Sequence, residues 1–168
     1  TGPGLLFIEG GSFTMGRVEQ DVMYAWDNIP RRQTVSSFYL DETEVRNVDY
    51  LEYLFWINRM YGQSYPEVYE KALPDTLVWR DKLGYNEPFV DGYLRHPAFK
   101  NYPVVGVSWK QATDYCAWRT DRVNERILID NGILKEDMEQ IDDLVFTTEG
   151  YKQGQYEGFV KKNPKNLT

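Results

Sequence analysis

Two side chains in this sequence are of the types that pair as nucleophile and base: Cys116 and His96, each the sole residue of its kind. A thiol becomes a nucleophile only beside a base, in an electropositive and partly open setting. Cys116 falls mid-helix on an apolar stripe beside Tyr115, where a small buried core residue is expected. Nothing in the sequence brings His96 to it. His96 sits in Arg95-His96-Pro97, a loop setting in which a hydrogen-bonded rather than a catalytic histidine is expected. One cysteine rules out an intrachain disulfide and a cysteine zinc site, and one histidine rules out a histidine metal cluster.

The carboxylates are the next candidates. Asp41, Glu42 and Glu44 follow an expected strand and could hold a cation or move a proton. In extended backbone Glu42 and Glu44 share one face and Asp41 takes the other. The expectation is a polar strand end with Glu44 buried and hydrogen-bonded. Glu136 to Asp143 is strongly acidic but lacks the D-x-[DN]-x-[DN]-G order of a calcium loop, so it reads as a solvated short helix. Gly10-Gly11-Ser12-Phe13-Thr14-Met15-Gly16 lacks the lysine of a phosphate loop and leads into no helix, which leaves a hairpin turn. No catalytic residue, metal ligand or cofactor is expected from these groups.

The remaining chemistry is aromatic. Trp79, Tyr85, Phe89, Tyr93, Phe99 and Tyr102 fall in residues 74–103, a region punctuated by Pro74, Pro88, Pro97 and Pro103. Loops of this length are functional or pinned by packing. These rings could form a platform for a sugar or a protein partner, or their bodies could hold an irregular loop to the core. Both readings stand.

Around these groups the chain is 168 residues long, the size of about one domain. Its net charge of −7 leaves no basic footprint for nucleic acid. No apolar run reaches the ~18–20 residues of a membrane helix. The chain begins at Thr1 without a signal peptide, so a mature or trimmed piece is expected.

The elements that must position the candidates follow from periodicity. Leu5 to Ile8 and Ser12 to Met15 read as two strands around a Gly10-Gly11 turn. Residues 17–32 read as irregular, and Thr34 to Leu40 as one half-buried strand with a bulge. Asn47 is the expected N-cap of a helix over 48–61, with Val48, Leu51, Leu54, Phe55 and Ile57 on its apolar stripe and Gly62 as its stop. Ser64 with Glu67 suggests a capping box for a short helix ending before Pro74. Ser108 with Gln111 suggests another, opening a helix to about Ile129 that Asn131-Gly132 stops. Its expected stripe is Ala112, Tyr115, Cys116, Arg119, Val123 and Ile127. From Thr147 the chain reads as extended or disordered. The fold class is α+β, with a domain over 1–146 and a polar segment over 147–168.

Three stretches carry a resemblance. They are Phe7-Ile8-Glu9-Gly10-Gly11-Ser12-Phe13-Thr14-Met15-Gly16, then Val35-Ser36-Ser37-Phe38-Tyr39-Leu40-Asp41-Glu42-Thr43-Glu44-Val45 with Asn47 and Tyr50, then Tyr102-Pro103-Val104-Val105-Gly106-Val107-Ser108-Trp109 with Ala112, Tyr115-Cys116 and Trp118. Together they resemble the formylglycine-generating-enzyme (sulfatase-modifying factor) family, which implies a C-type-lectin-like fold. Four further stretches are similar to the gliding-motility lipoproteins of Bacteroidota, the GldJ/GldK type. They are Ala72-Leu73-Pro74-Asp75-Thr76-Leu77-Val78-Trp79-Arg80, Leu83-Gly84-Tyr85-Asn86-Glu87, Tyr93-Leu94-Arg95-His96-Pro97-Ala98 and Trp118-Arg119-Thr120-Asp121-Arg122-Val123-Asn124-Glu125.

That resemblance implies a non-catalytic structural and interaction subunit of the gliding-motility and type IX secretion machinery. Its place would be the periplasmic face of the outer membrane, with a lipid anchor upstream of Thr1 and other subunits of the machinery as partners. The departures are specific. The L-P-T-E-A-E-W-E-like stretch of the family does not follow the helix, Arg46 replaces a usual Thr, and the copper-binding cysteine pair of the enzymes has no counterpart, Cys116 matching a core position. The resemblance therefore implies the first part of a domain, whose remainder would cover its core. Two other functions are compatible with the family: a copper-dependent formylglycine-generating oxidase whose catalytic half lies elsewhere, and a carbohydrate-binding lectin-like module. Asp75-Thr76-Leu77 also matches the short O-glycosylation signal of Bacteroidota, or is an ordinary turn after Pro74.

Overall fold

A computed structural model of the chain describes residues 4–16, 28–136, 140, 142 and 145–156. The chain divides into two compact units, Thr1–Glu44 and Val45–Thr168.

The first unit holds four short strands: β1 (Leu5–Ile8), β2 (Gly11–Met15), β3 (Arg31–Val35) and β4 (Phe38–Asp41). The expected β1–β2 hairpin does not form. β1 pairs antiparallel with β4, and β2 with β3. Ile8 faces Phe38 and Gly11 faces Val35, so both chains advance equally between the two ladders and the register is kept. β1 and β2 are thus one strand jogged at Glu9-Gly10, and β3 and β4 are its mate jogged at Ser36-Ser37.

Gly10 allows the jog. A Cβ there would lie 2.5 Å from the Ser37 nitrogen and 2.6 Å from the Val35 carbonyl oxygen, and its own N–H donates to Ser37 Oγ at 3.0 Å. The bulged single strand expected over 34–40 is accordingly two strands, and residues 31 and 32, expected to be irregular, begin β3. The irregular reading of 17–27 lies outside the described residues. Phe7 meets Tyr39 at 5.4 Å on one face, while Leu6 opposes Leu40 and Ile8 opposes Phe38 on the other. The β1–β4 half of the ribbon is therefore apolar on both faces, and these side chains stay exposed.

The second unit is helical. Helix α1 (Asn47–Tyr61) opens at Arg46, whose backbone N–H and guanidinium are both held by Asp49. The N-cap is thus Arg46, one residue before the expected Asn47. Asn47 is fully buried, and its side-chain amide donates to the carbonyls of Tyr93 and Phe99 at 3.2 and 3.0 Å. The buried stripe is Tyr50, Tyr53, Leu54, Ile57 and Met60, a helical spacing. The expected stripe is right at Leu54 and Ile57 but wrong at Val48 and Phe55, which are exposed. Tyrosines take the core places because their rings bury area while a polar tip finds a partner. Tyr50 shows this directly, donating its hydroxyl to the Ala72 carbonyl at 2.8 Å.

Helix α2 (Pro66–Ala72) starts on a proline that pre-sets its first turn. Ser64 does not cap it. Its hydroxyl donates to Asp142 instead. Helix α4 (Trp109–Asp130) follows the expected capping box: Gln111 accepts the Ser108 N–H at 2.8 Å and Ser108 Oγ accepts the Gln111 N–H at 3.3 Å. The Gln111 amide then bridges to the carbonyls of Lys71 and Leu73, joining the end of α2 to the start of α4. Gly132 ends α4 with φ of +70°.

Of the stripe expected on α4, Tyr115 is buried and stacks on Tyr50 at 5.7 Å and edge-on against Tyr53 at 5.5 Å. Cys116 is exposed rather than buried. The stripe drifts because the real contact line runs through Tyr115 and Trp118, not Cys116. Between α2 and α4 lies a short helix, α3 (Glu87–Gly92), flanked by single 3₁₀ turns at Thr76–Trp79 and Pro97–Phe99.

The expected extended end meets a fifth helix, α5 (Thr148–Lys152). Phe146 before it is 2% exposed, and Asp121 on α4 accepts the Thr148 N–H at 2.8 Å. The acidic helix expected over 136–143 lies largely outside the described residues. Its Gln140 is buried and accepts the Phe146 N–H.

Candidate functional site: an aromatic loop and a helical cleft

The loop over 74–103 is anchored at several backbone points. Asp75 donates to the Gly106 carbonyl at 2.8 Å, Asn47 to that of Tyr102 at 2.8 Å, and Val48 to that of Lys100 at 3.0 Å. Gly106 has φ of +79°, and a Cβ there would meet the Asp75 carbonyl oxygen at 2.1 Å. Only glycine combines that conformation with that approach.

Between the anchors the rings close on one another. Trp79 meets Tyr93 at 4.7 Å and Phe89 at 5.5 Å, and Phe99 meets Tyr93 at 5.3 Å and Tyr102 at 5.7 Å. Tyr93 is buried and donates its hydroxyl to the Pro103 carbonyl at 2.8 Å. Of the six candidate residues, Trp79, Phe89, Tyr93 and Phe99 thus form a ring cluster around buried Tyr93, with Phe89 at its exposed edge. Tyr102 touches its edge with much of its surface open, and Tyr85 stands apart, 83% exposed.

The tip that carries Tyr85 is braced at its base. Glu87 accepts from Arg80 at 2.9 and 3.2 Å, and Asp81 accepts the Leu83 N–H at 3.1 Å. Leu83, which is not among the six candidates, is 98% exposed. Asp75 accepts the Leu77 N–H at 2.9 Å, so Asp75-Thr76-Leu77 forms the turn expected after Pro74, with Thr76 exposed.

The polar candidates do not converge. His96 is exposed and its Nδ1 accepts the Ala98 N–H at 3.2 Å, the hydrogen-bonded loop histidine expected. Glu44, expected to be buried, is exposed, as is Glu42, while Asp41 is half-buried. Among the described residues no group of three or more His, Cys, Asp or Glu side chains could hold a metal ion. The resolved electrostatic effects are structural. The Arg46 guanidinium holds the Asp49 carboxyl below its ordinary value. Burial pushes the Tyr50 phenol up, and the Tyr53 phenol up to about 12.

A second concave feature has no counterpart in the sequence reading. Helices α1, α2 and α4 and residues 145–147 enclose a cleft of about 530 Å³ with Trp56, Tyr61, Val68, Trp118 and Phe146 in its wall. Four separate segments build it, and no single motif spans them. The one usable signal was Trp56 with Trp118, each on a helix already placed by periodicity.

Comparison with known proteins follows this geometry. The model of the Sulfatase-modifying factor enzyme 1-like domain matches residues 1–131. The chain is 27% identical to the formylglycine-generating enzyme of Mus musculus, over 69% of this chain and 36% of that protein. It is 24% identical to the enzyme of the same name from Bos taurus, over 69% of this chain and 35% of that protein. It is 29% identical to the serine/threonine-protein kinase pkn1 of Chlamydia pneumoniae, over 68% of this chain and 16% of that protein. The chain therefore spans about a third of the formylglycine-generating enzymes it matches. No solved structure matches it.

Proposed function

The chain belongs to the sulfatase-modifying factor enzyme 1-like domain family, and from that premise we propose that it is a non-catalytic structural and interaction module of the gliding-motility and type IX secretion machinery. It acts as part of a lipoprotein of the GldJ/GldK type at the periplasmic face of the outer membrane, on a C-type-lectin-like scaffold. The anchor is a lipid outside this chain. Its partners are other subunits of that machinery and the remainder of its own domain.

The observation that carries the reading is the loop tip. Leu83 and Tyr85 are 98% and 83% exposed on a loop fixed by the Arg80–Glu87 ion pair and seated on the ring cluster. Such side chains gain by burial against a partner, and tyrosine is among the residues enriched at interface hot spots. A further fact supports it. The net charge of −7 favours a partner with a basic patch.

Affinity purification of the tagged full-length protein from native envelopes, followed by mass spectrometry, tests this. Motility and secretion subunits are expected in the wild-type sample and depleted in the Leu83→Asp/Tyr85→Asp variant. Recovery of no such subunit with the wild-type protein would overturn the reading.

A further inference from the structure

Helix α4 has a second face. It turns Tyr115 and Trp118 inward onto α1. Away from that contact, Trp109, Thr113, Cys116, Thr120, Val123 and Ile127 recur at alternating steps of four and three residues, the spacing of a coiled-coil seam. Val123 is half-buried and the other residues of the seam are exposed, Trp109 at 83% and Ile127 at 42%.

The chemistry of this seam differs from that of a solvated face. None of the charged side chains of α4 falls on it, and interface cores are depleted in charge. Its threonines turn their hydroxyls back onto the helix: Thr113 donates to the Trp109 carbonyl at 2.9 Å and Thr120 to the Cys116 carbonyl at 2.8 Å. Their donors are thus satisfied within α4 and ask nothing of a partner.

The pattern also selects the occupant. Thr113, Thr120 and Ile127 share one of the two alternating seam positions and are all β-branched, which favours two parallel strands. The flanks agree. In a parallel pair each flanking residue faces the one five places further along the other helix. Ala112 then faces the second copy's Ala117, and Arg119 faces the second copy's Asn124, so no like charges meet. Antiparallel pairing would set Arg119 against its own copy.

We propose that the chain forms a parallel two-fold dimer through this exposed seam of α4. Each seam residue meets its own copy across the axis. The proposal is independent of the reading above.

Sedimentation of the full-length protein, together with thiol crosslinking, tests it. A concentration-dependent dimer is expected. Thr120→Glu should weaken it at least about tenfold, because it sets like charges face to face, with unchanged far-UV circular dichroism. A short bismaleimide should link Cys116 to the second copy's Cys116. In a Cys116→Ala background, Thr113→Cys should be linked as well. An antiparallel pair would instead hold the two copies of residue 113 roughly 15 Å apart along the helix. A monomer at every concentration up to about 100 μM, an affinity unchanged in Thr120→Glu, or a dimer that leaves Thr113→Cys unlinked would overturn the proposal. A monomer whose Cys116 resists maleimide would do so too, and would identify another part of the same polypeptide as the cover.

Discussion

The second unit contains two clusters of rings that are held by different physics. On the helices, Tyr50, Tyr53 and Tyr115 are 1%, 5% and 6% exposed and touch at 5.4 to 5.7 Å. Their backbone polar groups are met within the helices, so the side chains have only to fit. In the loop, Trp79, Phe89, Tyr93 and Phe99 stack at similar distances. Their backbone is met within short turns, Phe89 on Asn86, Tyr93 on Phe89 and Phe99 on His96, and those turns are tied to the rest of the unit by Asn47, the Tyr93 hydroxyl and Gly106. The helical cluster rests on buried area. The loop cluster rests on a few polar ties, with ring contact filling the space they define.

The largest expected effect follows from the first half of that contrast. Tyr115→Ala should cost about 3–5 kcal/mol, as for other large aromatic truncations in cores, read from urea denaturation. Trp79→Ala should cost clearly less, and an equal loss would erase the distinction. Alkali probes the same cluster without mutation. Tyr53 ionises only near pH 12 in the folded chain, against about 10 in the unfolded one. The unfolded state therefore gives up its proton first, and stability should fall as pH rises across that window. Tyr50 shifts in the same direction for the same reason. A stability that stays flat from pH 10 to 12 would contradict the burial of these phenols.

The polar ties come next. Asn47→Ala strands the Tyr93 and Phe99 carbonyls and should cost about 1–3 kcal/mol. Hydrogen exchange should then rise in residues 93–102 before it rises in α4. Uniform deprotection would mean that the loop and the helices share one support. Least of all, Arg80→Ala should cost at most about 1 kcal/mol, since its ion pair with Glu87 is exposed. Limited proteolysis within 81–86 should nevertheless accelerate.

These clusters also show what the sequence made legible. Helix α4 was readable from end to end, because Ser108, Gln111 and Gly132 act locally. Helix α1 was placed correctly but faced wrongly. Tyr50 and Tyr53 lie off the expected stripe, and their burial depends on Ala72 and Tyr115, which are remote in sequence. The strands at 5–8, 12–15 and within 34–40 were legible, but their pairing was not, for a related reason. Gly10-Gly11 marks a jog rather than a turn, and only the Val35–Ser37 backbone against it distinguishes the two. The loop rings were singled out together, but their division into inner cluster and exposed tip depends on anchors made by Asn47 and Gly106. The cleft, drawn from four segments, had no local signature.

The clasp between Asp75 and Gly106, with Asn47 holding the loop from below, makes the intervening stretch an exchangeable cassette. Its outermost part, residues 81–86, touches solvent on nearly every side. Lengthening a flexible loop costs only about 0.6 kcal/mol per doubling. Insertions and substitutions there can accumulate while the glycine, the asparagine and the helices beneath stay fixed, so this is where members of one lineage can diverge in what they recognise without redesigning what holds them together.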